Sequence, residues 1–315
     1  LRTWARLGPP ILILGDDPGA EEAAAAVGAR FAPDVPRTAQ GTPEMGGLFT
    51  RARDLTDAPY LGYVNADILL RPTFASVVEA ALAQFEASEG AGAPVLLTMR
   101  RRNVPAGAPL TFDDDRYVAE IDALDGEYGS WDSGMAVDVF IFSRDLFDTI
   151  PDFAIGRTQW DNWLVWKARE RGAAVIDASP DCAVHHPIHG YADTWRAVRQ
   201  GAEATENRRI AEGRSLNLDA AATHLFERGR LVRLSEADRA RLSERFAPSP
   251  ERQREARARD QLLLPRGRLH RLGVAQAPDA LLGDDDVLAR FQAHTGDVLV
   301  TTEAVAQLQG FVQGR

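Results

Sequence analysis

Short continuous apolar runs, each closed by turn residues and followed by an amphipathic stretch, order the first part of the chain. Ile11 to Leu14 is such a run, and the lack of polar alternation suits a strand buried on both faces. Gly15-Asp16-Asp17-Pro18-Gly19 ends it with dense turn chemistry. Glu21 to Val27 is Ala-rich and predicts a helix, with Glu21 and Glu22 in the first turn where the dipole favours acids. Met45, Leu48, Phe49, Ala52 and Leu55 fall on one face of a second helix from about Pro43 to Leu55. Tyr60 to Val64 reads as a strand, Pro72 as the opening of a helix to about Phe85, and Pro94 to Met99 as another strand. After an acidic, Gly-containing stretch come a strand from Val137 to Phe142 and a helix from Trp160 to Arg171, with Gly172 at C′. The strand Ala174 to Asp177 follows.

Strands alternating with helices predict an α/β fold, a parallel or mostly parallel sheet with helices on both faces. Open sheets of this kind place their ligand crevice at the carboxyl ends of the strands. That gives meaning to "LGYVNADILLRP", where an apolar run breaks on Asn65-Ala66-Asp67. A carboxylate halfway along a buried strand is expensive, so the strand is read as ending there, with Asp67 at its tip. Beyond about Tyr191 the character changes. Residues 192–230 read as helical and polar, and residues 235–262 are rich in Arg, Ala and Glu and broken by Pro248 and Pro250. Two parts are expected: residues 1–234, and a mainly helical C-terminal extension over 235–315.

The 315 residues are 45% hydrophobic, enough for one large domain or two smaller ones. A formal charge of −10, from 36 basic and 46 acidic residues, argues against nucleic acid or an anionic membrane as the main partner. It allows a phosphate-bearing ligand if a metal or local basic group neutralises it. The single cysteine, Cys182, excludes an intrachain disulfide framework and a Cys-based zinc site. No apolar run approaches the roughly 18–20 residues of a membrane span, and no signal peptide is visible, so no transmembrane segment and a cytoplasmic setting are expected. The chain begins at Leu1 rather than Met, and is expected to be a segment of something longer that carries other domains.

Three stretches, in order, resemble a glycosyltransferase of the GT-A (Rossmann-like) fold, specifically the family-2-like nucleotide-diphospho-sugar transferases. "ILILGDDPGAEEAAAAVGARF" resembles that family's second strand, acidic turn and helix. "GTPEMGGLFTRARDLTDAPYLGYVNADILLRPTF" resembles the helix and strand leading into the metal-binding "DxD" signature, here Asn65-Ala66-Asp67. "WDNWLVWKARERGAAVIDASPDCAVHH" resembles the segment in which Asp161 is followed by Leu164, Gly172, Pro180 and His185. The resemblance covers roughly residues 1–195. It departs from the family at Asn65, where an Asp is usual, and in the first strand, which should precede Leu1; "LRTWARLGP" resembles the helix that follows that strand.

The resemblance implies a divalent cation, Mn²⁺ or Mg²⁺, held by Asp67 and by a C-terminal histidine, to stabilise charge on a diphosphate leaving group. His185, His186 and His189 are half of the six histidines; His185, then His189, is the expected ligand, and at least one of the three a core or loop residue. For Asp67 the competing reading is a cap on the following turn. Asp161 matches the family's catalytic base, and its rival reading is an N-terminal helix acid. Asp16, Asp17 and Asn65 match the nucleotide-sugar side of the site, an ordinary turn being the other reading of the two acids. Trp131 and Trp160 are candidates to pack on an acceptor sugar, whereas Trp163 and Trp166 read as core. Asp132 reads equally as a ligand for a sugar hydroxyl and as a turn acid. The runs Asp113–Asp115 and Asp284–Asp286 read as solvated loops.

The expected function is metal-dependent, inverting transfer of a sugar from a nucleotide-diphosphate donor, a UDP-sugar first, to a glycan or other hydroxyl acceptor. The rival is a catalytically inactive GT-A-like binding or scaffold module of a larger multidomain enzyme, favoured by Asn65 and the unassigned tail. A nucleotidyltransferase on a related sheet is a third reading, but no Gly- and Arg/Lys-rich phosphate loop is visible.

Overall fold

The computed structural model describes residues 1–105, 116–188 and 199–254. Its first half runs α1 (Arg2–Ala5), β1 (Leu12–Leu14), α2 (Ala20–Val27), β2 (Arg30–Ala32), α3 (Met45–Asp54), β3 (Tyr60–Val64), α4 (Phe74–Glu89) and β4 (Val95–Pro105). Then come α5 (Arg116–Tyr128), β5 (Ser130–Trp131), β6 (Val137–Ser143), α6 (Trp160–Glu170), β7 (Ala174–Asp177) and β8 (Val184–Ile188). The described C-terminal part holds α7 (Ala202–Ala211), α8 (Leu218–Ala221), β9 (His224–Glu227), β10 (Arg230–Arg233), α9 (Glu236–Ala240) and α10 (Leu242–Arg245).

The main sheet has the order β10-β9-β7-β4-β6-β3, with β5 and β8 joined to the far half of β4; β1 and β2 form a separate parallel pair. The α/β expectation holds, but the sheet is mixed rather than mostly parallel. β6 lies between β3 and β4 and runs antiparallel to both, whereas β7 and β8 run parallel to β4. The reason is physical: "VDVFIF" is apolar because it is buried on both faces, and burial says nothing about strand direction. A second correction concerns the end of the 192–230 stretch read as helical and polar: residues 224–230 belong to the β9–β10 hairpin, which runs on to Arg233 at the sheet edge.

β4 sets the plan of the molecule. Its first half, Val95 to Met99, is fully buried, with Val95, Leu96, Leu97 and Met99 all at 0% exposure. At about 1.5–3 kcal/mol for each large side chain buried, this run anchors the sheet. The ladder with β6 then shifts register between Thr98 and Arg100, and the strand continues as Arg100-Arg101-Arg102-Asn103 with β5 and β8 as its new neighbours. One strand therefore carries the core in its first half and charge in its second.

Arg100 has 0% exposure. Its Nε donates to Asp177 at 2.8 Å and its Nη1 to Asp219 at 2.6 Å, and its guanidinium lies 4.5 Å from the Phe246 ring centroid. Leu242 and Phe246 are buried in the same core cluster as Leu96 and Phe140, so residues 235–246 pack on the body rather than standing apart from it. Among the described residues no helix is long and apolar enough to cross a membrane. Replacing Arg100 by Met leaves the buried Asp177 carboxylate with Ser179 as its remaining partner. Removing one partner of a buried ion pair costs about 3–5 kcal/mol, so Arg100→Met should lower the urea midpoint by that equivalent; an unchanged midpoint would contradict this role.

Candidate functional site

The turn after β3 explains how Asp67 is placed. Asn65 accepts from the Ile68 N–H, closing the turn, and Leu69 then exchanges backbone hydrogen bonds with His185 of β8 at 2.9 and 3.3 Å. That short antiparallel bridge lays the turn against β8. Successive strand residues point to opposite faces, so His185 and His186 cannot share a site. His186 is the one that meets Asp67, with Nε2 3.1 Å from Oδ2 and both residues buried. His185 faces α5 instead, its Nε2 3.6 Å from Asp125 Oδ1, and Asp125 also accepts from Arg102 at 2.5 Å. Burial holds His185 below its ordinary pKa, with Asp125 opposing in part. The partner expected of His185 is thus supplied by its neighbour, and His189 lies outside the described residues, as do Asp113–Asp115 and Asp284–Asp286.

The second half of β4 sorts its charges by the same alternation. Arg101 and Asn103 share a face, and Asn103 is in register with His186. Both side chains converge on Asp132. Arg101 donates from Nε at 3.0 Å and from Nη2 at 2.8 Å, and Asn103 Nδ2 donates at 2.9 Å, all to Asp132 Oδ2. Burial alone would raise the Asp132 pKa, but Arg101 and these hydrogen bonds outweigh it and hold the group at about 2. Arg101 reaches the other way to Asp138 Oδ2 at 3.3 Å, and Asp138 Oδ1 accepts from Asn65 Nδ2 at 2.5 Å. The chain of contacts therefore runs Asn65, Asp138, Arg101, Asp132, Asn103.

Asp161 joins this set from α6. The residue before the helix, Gln159, sits at φ 91°, a left-handed conformation costly for a side chain with Cβ. Its carbonyl accepts from the Trp163 N–H at 2.8 Å and so starts the helix. Asp161 Oδ1 accepts from the Asn162 N–H at 2.8 Å and from Asn162 Nδ2 at 3.1 Å. Burial pushes its carboxyl up to about 6; the Asn162 N–H opposes this, and the negative Asp138 adds to it. Asp132 and Asp161 thus have pKa values on opposite sides of the ordinary carboxylate value, set by surroundings alone.

The other expected residues fall elsewhere. Trp160 is 4% exposed and packs between Tyr63 and Phe140, with ring centroids at 5.1 and 5.6 Å, so its faces are used by the core. Trp163 is likewise core, against Phe153. Trp131 is half-buried, with Arg102 over its ring at 4.7 Å and Phe246 edge-on at 5.0 Å. Asp16 and Asp17 lie on the turn after β1, and both pair with Arg37. Arg101, Asn103, Asp138 and Asn162 carry the site without having been singled out, and His186, named among the three clustered histidines, takes the place expected of His185. The signal available for two of them was "MRRRN", a basic run continuing a buried strand.

Among the described residues no group of three or more His, Cys, Asp or Glu is arranged to hold a metal. Asp67 and His186 nevertheless fit two ligand positions of one. Octahedral bonds of about 2.1 Å put neighbouring ligand atoms about 3 Å apart, and their atoms are 3.1 Å apart. Mg²⁺-type ions characteristically take one or two protein ligands and complete the shell with phosphate and water.

The Asp161 shift has a stability consequence. A carboxyl whose pKa rises from 3.8 to about 6 on folding binds its proton more tightly when folded. Stability therefore falls as pH rises through that window, by up to about 3 kcal/mol at about 1.4 kcal/mol per unit. Asp161→Asn should raise the melting temperature at pH 7.5, and the gain should vanish near pH 4. A gain that persists at pH 4, or none at 7.5, would remove burial as the cause.

No protein-family model, curated protein or solved structure matches this chain, so its function has to be read from these residues themselves.

Proposed function

We propose that the chain is a metal-dependent glycosyltransferase acting on a nucleotide-diphospho-sugar, a UDP-sugar first, with Asp161 as the base of an inverting transfer. The observation that carries this reading is the Asp161 carboxyl, held near pKa 6 at the start of α6 beside the Asp138–Asn65 pair. A base works best with a pKa close to working pH. At pH 7.5 Asp161 is mostly ionised yet more basic than an ordinary carboxylate.

The acceptor hydroxyl gives its proton to Asp161 as its oxygen attacks the anomeric carbon, and the bond to the diphosphate breaks with inversion. Both Asn162 donors hold Oδ1, which leaves Oδ2 to receive the proton. Asp67 and His186 would hold a divalent cation, Mn²⁺ or Mg²⁺, which would supply positive charge to offset that on the leaving diphosphate. Asp132, ionised at any working pH, accepts a hydrogen bond from a substrate hydroxyl. Asn65 keeps its amide nitrogen on Asp138, so it offers the donor sugar an amide oxygen in place of a second carboxylate.

The test combines nucleotide binding and transfer. UDP with Mn²⁺ should raise the melting temperature and EDTA should cancel the rise, since a ligand at 100 times its Kd adds about 2.7 kcal/mol. Asp67→Ala and His186→Ala should lose this shift, whereas His185→Ala should keep it. Asp161→Asn should keep the shift and lose transfer by about 10²–10⁴-fold. Wild-type rate should fall as pH drops through about 6, where the base protonates. Absence of a shift with UDP, GDP and ADP alike would favour a binding or scaffold module without catalysis.

A further inference from the structure

The loop that follows Asp132 and the helix that carries Asp161 are joined by a closed ring of hydrogen bonds. The Leu218 N–H donates to the Gly134 carbonyl at 2.9 Å, and the Leu216 N–H donates to the Asn162 carbonyl at 3.1 Å. Asn162 Nδ2 donates to the Met135 carbonyl at 3.1 Å and closes the ring. Gly134 and Met135 follow Asp132 closely in the chain, and Asn162 directly follows Asp161. Residues 216–219 therefore hold two separate elements, each beside the acid it carries.

This segment is itself fixed on its core side. Leu218 has 0% exposure and anchors it. The Asn217 side chain accepts from the Ala220 N–H at 2.9 Å and caps α8. Asp219 Oδ1 accepts from Arg100 Nη1 at 2.6 Å, and Asp177 holds the same guanidinium through Nε. The fit against the loop is close: a Cβ on Gly134 would lie 2.6 Å from Asp219 Oδ2 and 3.2 Å from Arg100 Nη1. An untethered carboxylate would swing aside, but this one is tied to an arginine with 0% exposure. Glycine is thus needed at 134 for close approach of the segment.

We infer that Asp219 is a positioning residue: it holds residues 216–218 between the Asp132 loop and α6, and so sets where the binding acid Asp132 stands relative to the base Asp161. This rests on the roles given to those two acids in the glycosyltransferase reading. Asp219 acts through the Gly134 and Asn162 carbonyls rather than on a substrate. A misplacement of about 1 Å between groups held in reacting geometry costs on the order of 10²-fold in rate, so the effect belongs in turnover before affinity.

The experiment is a two-by-two set in the full chain: wild type, Gly134→Ala, Asp219→Ser and the double variant. Gly134→Ala drives a methyl group against Asp219, and Asp219→Ser makes room for it. Transfer is followed as UDP release from UDP-glucose with Mn²⁺ and methyl glucoside. Gly134→Ala should lower kcat by about tenfold or more, while the Kd for UDP with Mn²⁺ stays within about threefold. Made in Asp219→Ser protein, the same substitution should cost less than about threefold. Losses that simply multiply would overturn the inference, as would a wild-type kcat in folded Gly134→Ala protein. A second readout needs no turnover: NMR titration of the Asp161 carboxyl carbon. Its midpoint should fall by about half a unit or more in Gly134→Ala, as the displaced loop admits water. A midpoint that stays put while the melting temperature drops marks a merely structural contact and overturns the positioning role. Absence of transfer by wild type with UDP-glucose, GDP-mannose and ADP-glucose alike removes the transferase reading, and the titration then decides the role of Asp219 by itself.

Discussion

Charge taken out of water has to be neutralised where it stands, and this protein meets that demand with three successive arginines of β4. Arg100 neutralises Asp177 and Asp219, Arg101 neutralises Asp132 and Asp138, and Arg102 neutralises Asp125. Because they alternate across the strand, the guanidiniums distribute themselves to different layers of the fold. Arg100 ties the sheet to the C-terminal helices, Arg102 to α5, and Arg101 faces the candidate site. Without them the buried acids around β4 would repel one another, and the loop carrying Trp131 to Ala136 would lose the Arg101–Asp132 ion pair that helps to anchor it.

The neutralisation is incomplete, and the remainder has chemical meaning. Arg101 is shared between Asp132 and Asp138, and Asp161 has no cation of its own among the contacts described. Two carboxyls on adjoining elements therefore part company: Asp132 is driven to about 2, and Asp161 is pushed up to about 6. Such a separation gives one group that binds and another that exchanges protons. Asp67 is answered by a histidine instead of an arginine, a pair whose spacing suits a divalent cation.

Much of this was legible in the sequence, and what was missed has definite causes. The strands Tyr60–Val64 and Ala174–Asp177 were bounded correctly because apolar runs framed by turn residues have few alternatives. The place of Asp67 after a strand, and of Asp161 in the first turn of a helix, followed from the same signals. Strand direction was not legible, since β6 looks like any strand buried on both faces. Nor was the choice between His185 and His186, which depends on which residue of β8 bridges Leu69. Trp160 reads as a sugar platform in sequence, but Tyr63 and Phe140 claim its ring from elements distant in the chain. The helix α5 and the hairpin β9–β10 were hidden because charged surface residues mask their periodicity.

Burial and the charge of Asp138 hold the Asp161 carboxyl at a raised pKa, and everything proposed for this site depends on it. The direct measurement is an NMR titration of its side-chain carboxyl carbon, assigned by comparison with Asp161→Asn. A midpoint near 6 that falls toward the ordinary carboxylate value in Asp138→Asn is the predicted result. A midpoint near 4 in the wild-type protein, or one insensitive to Asp138, would contradict it.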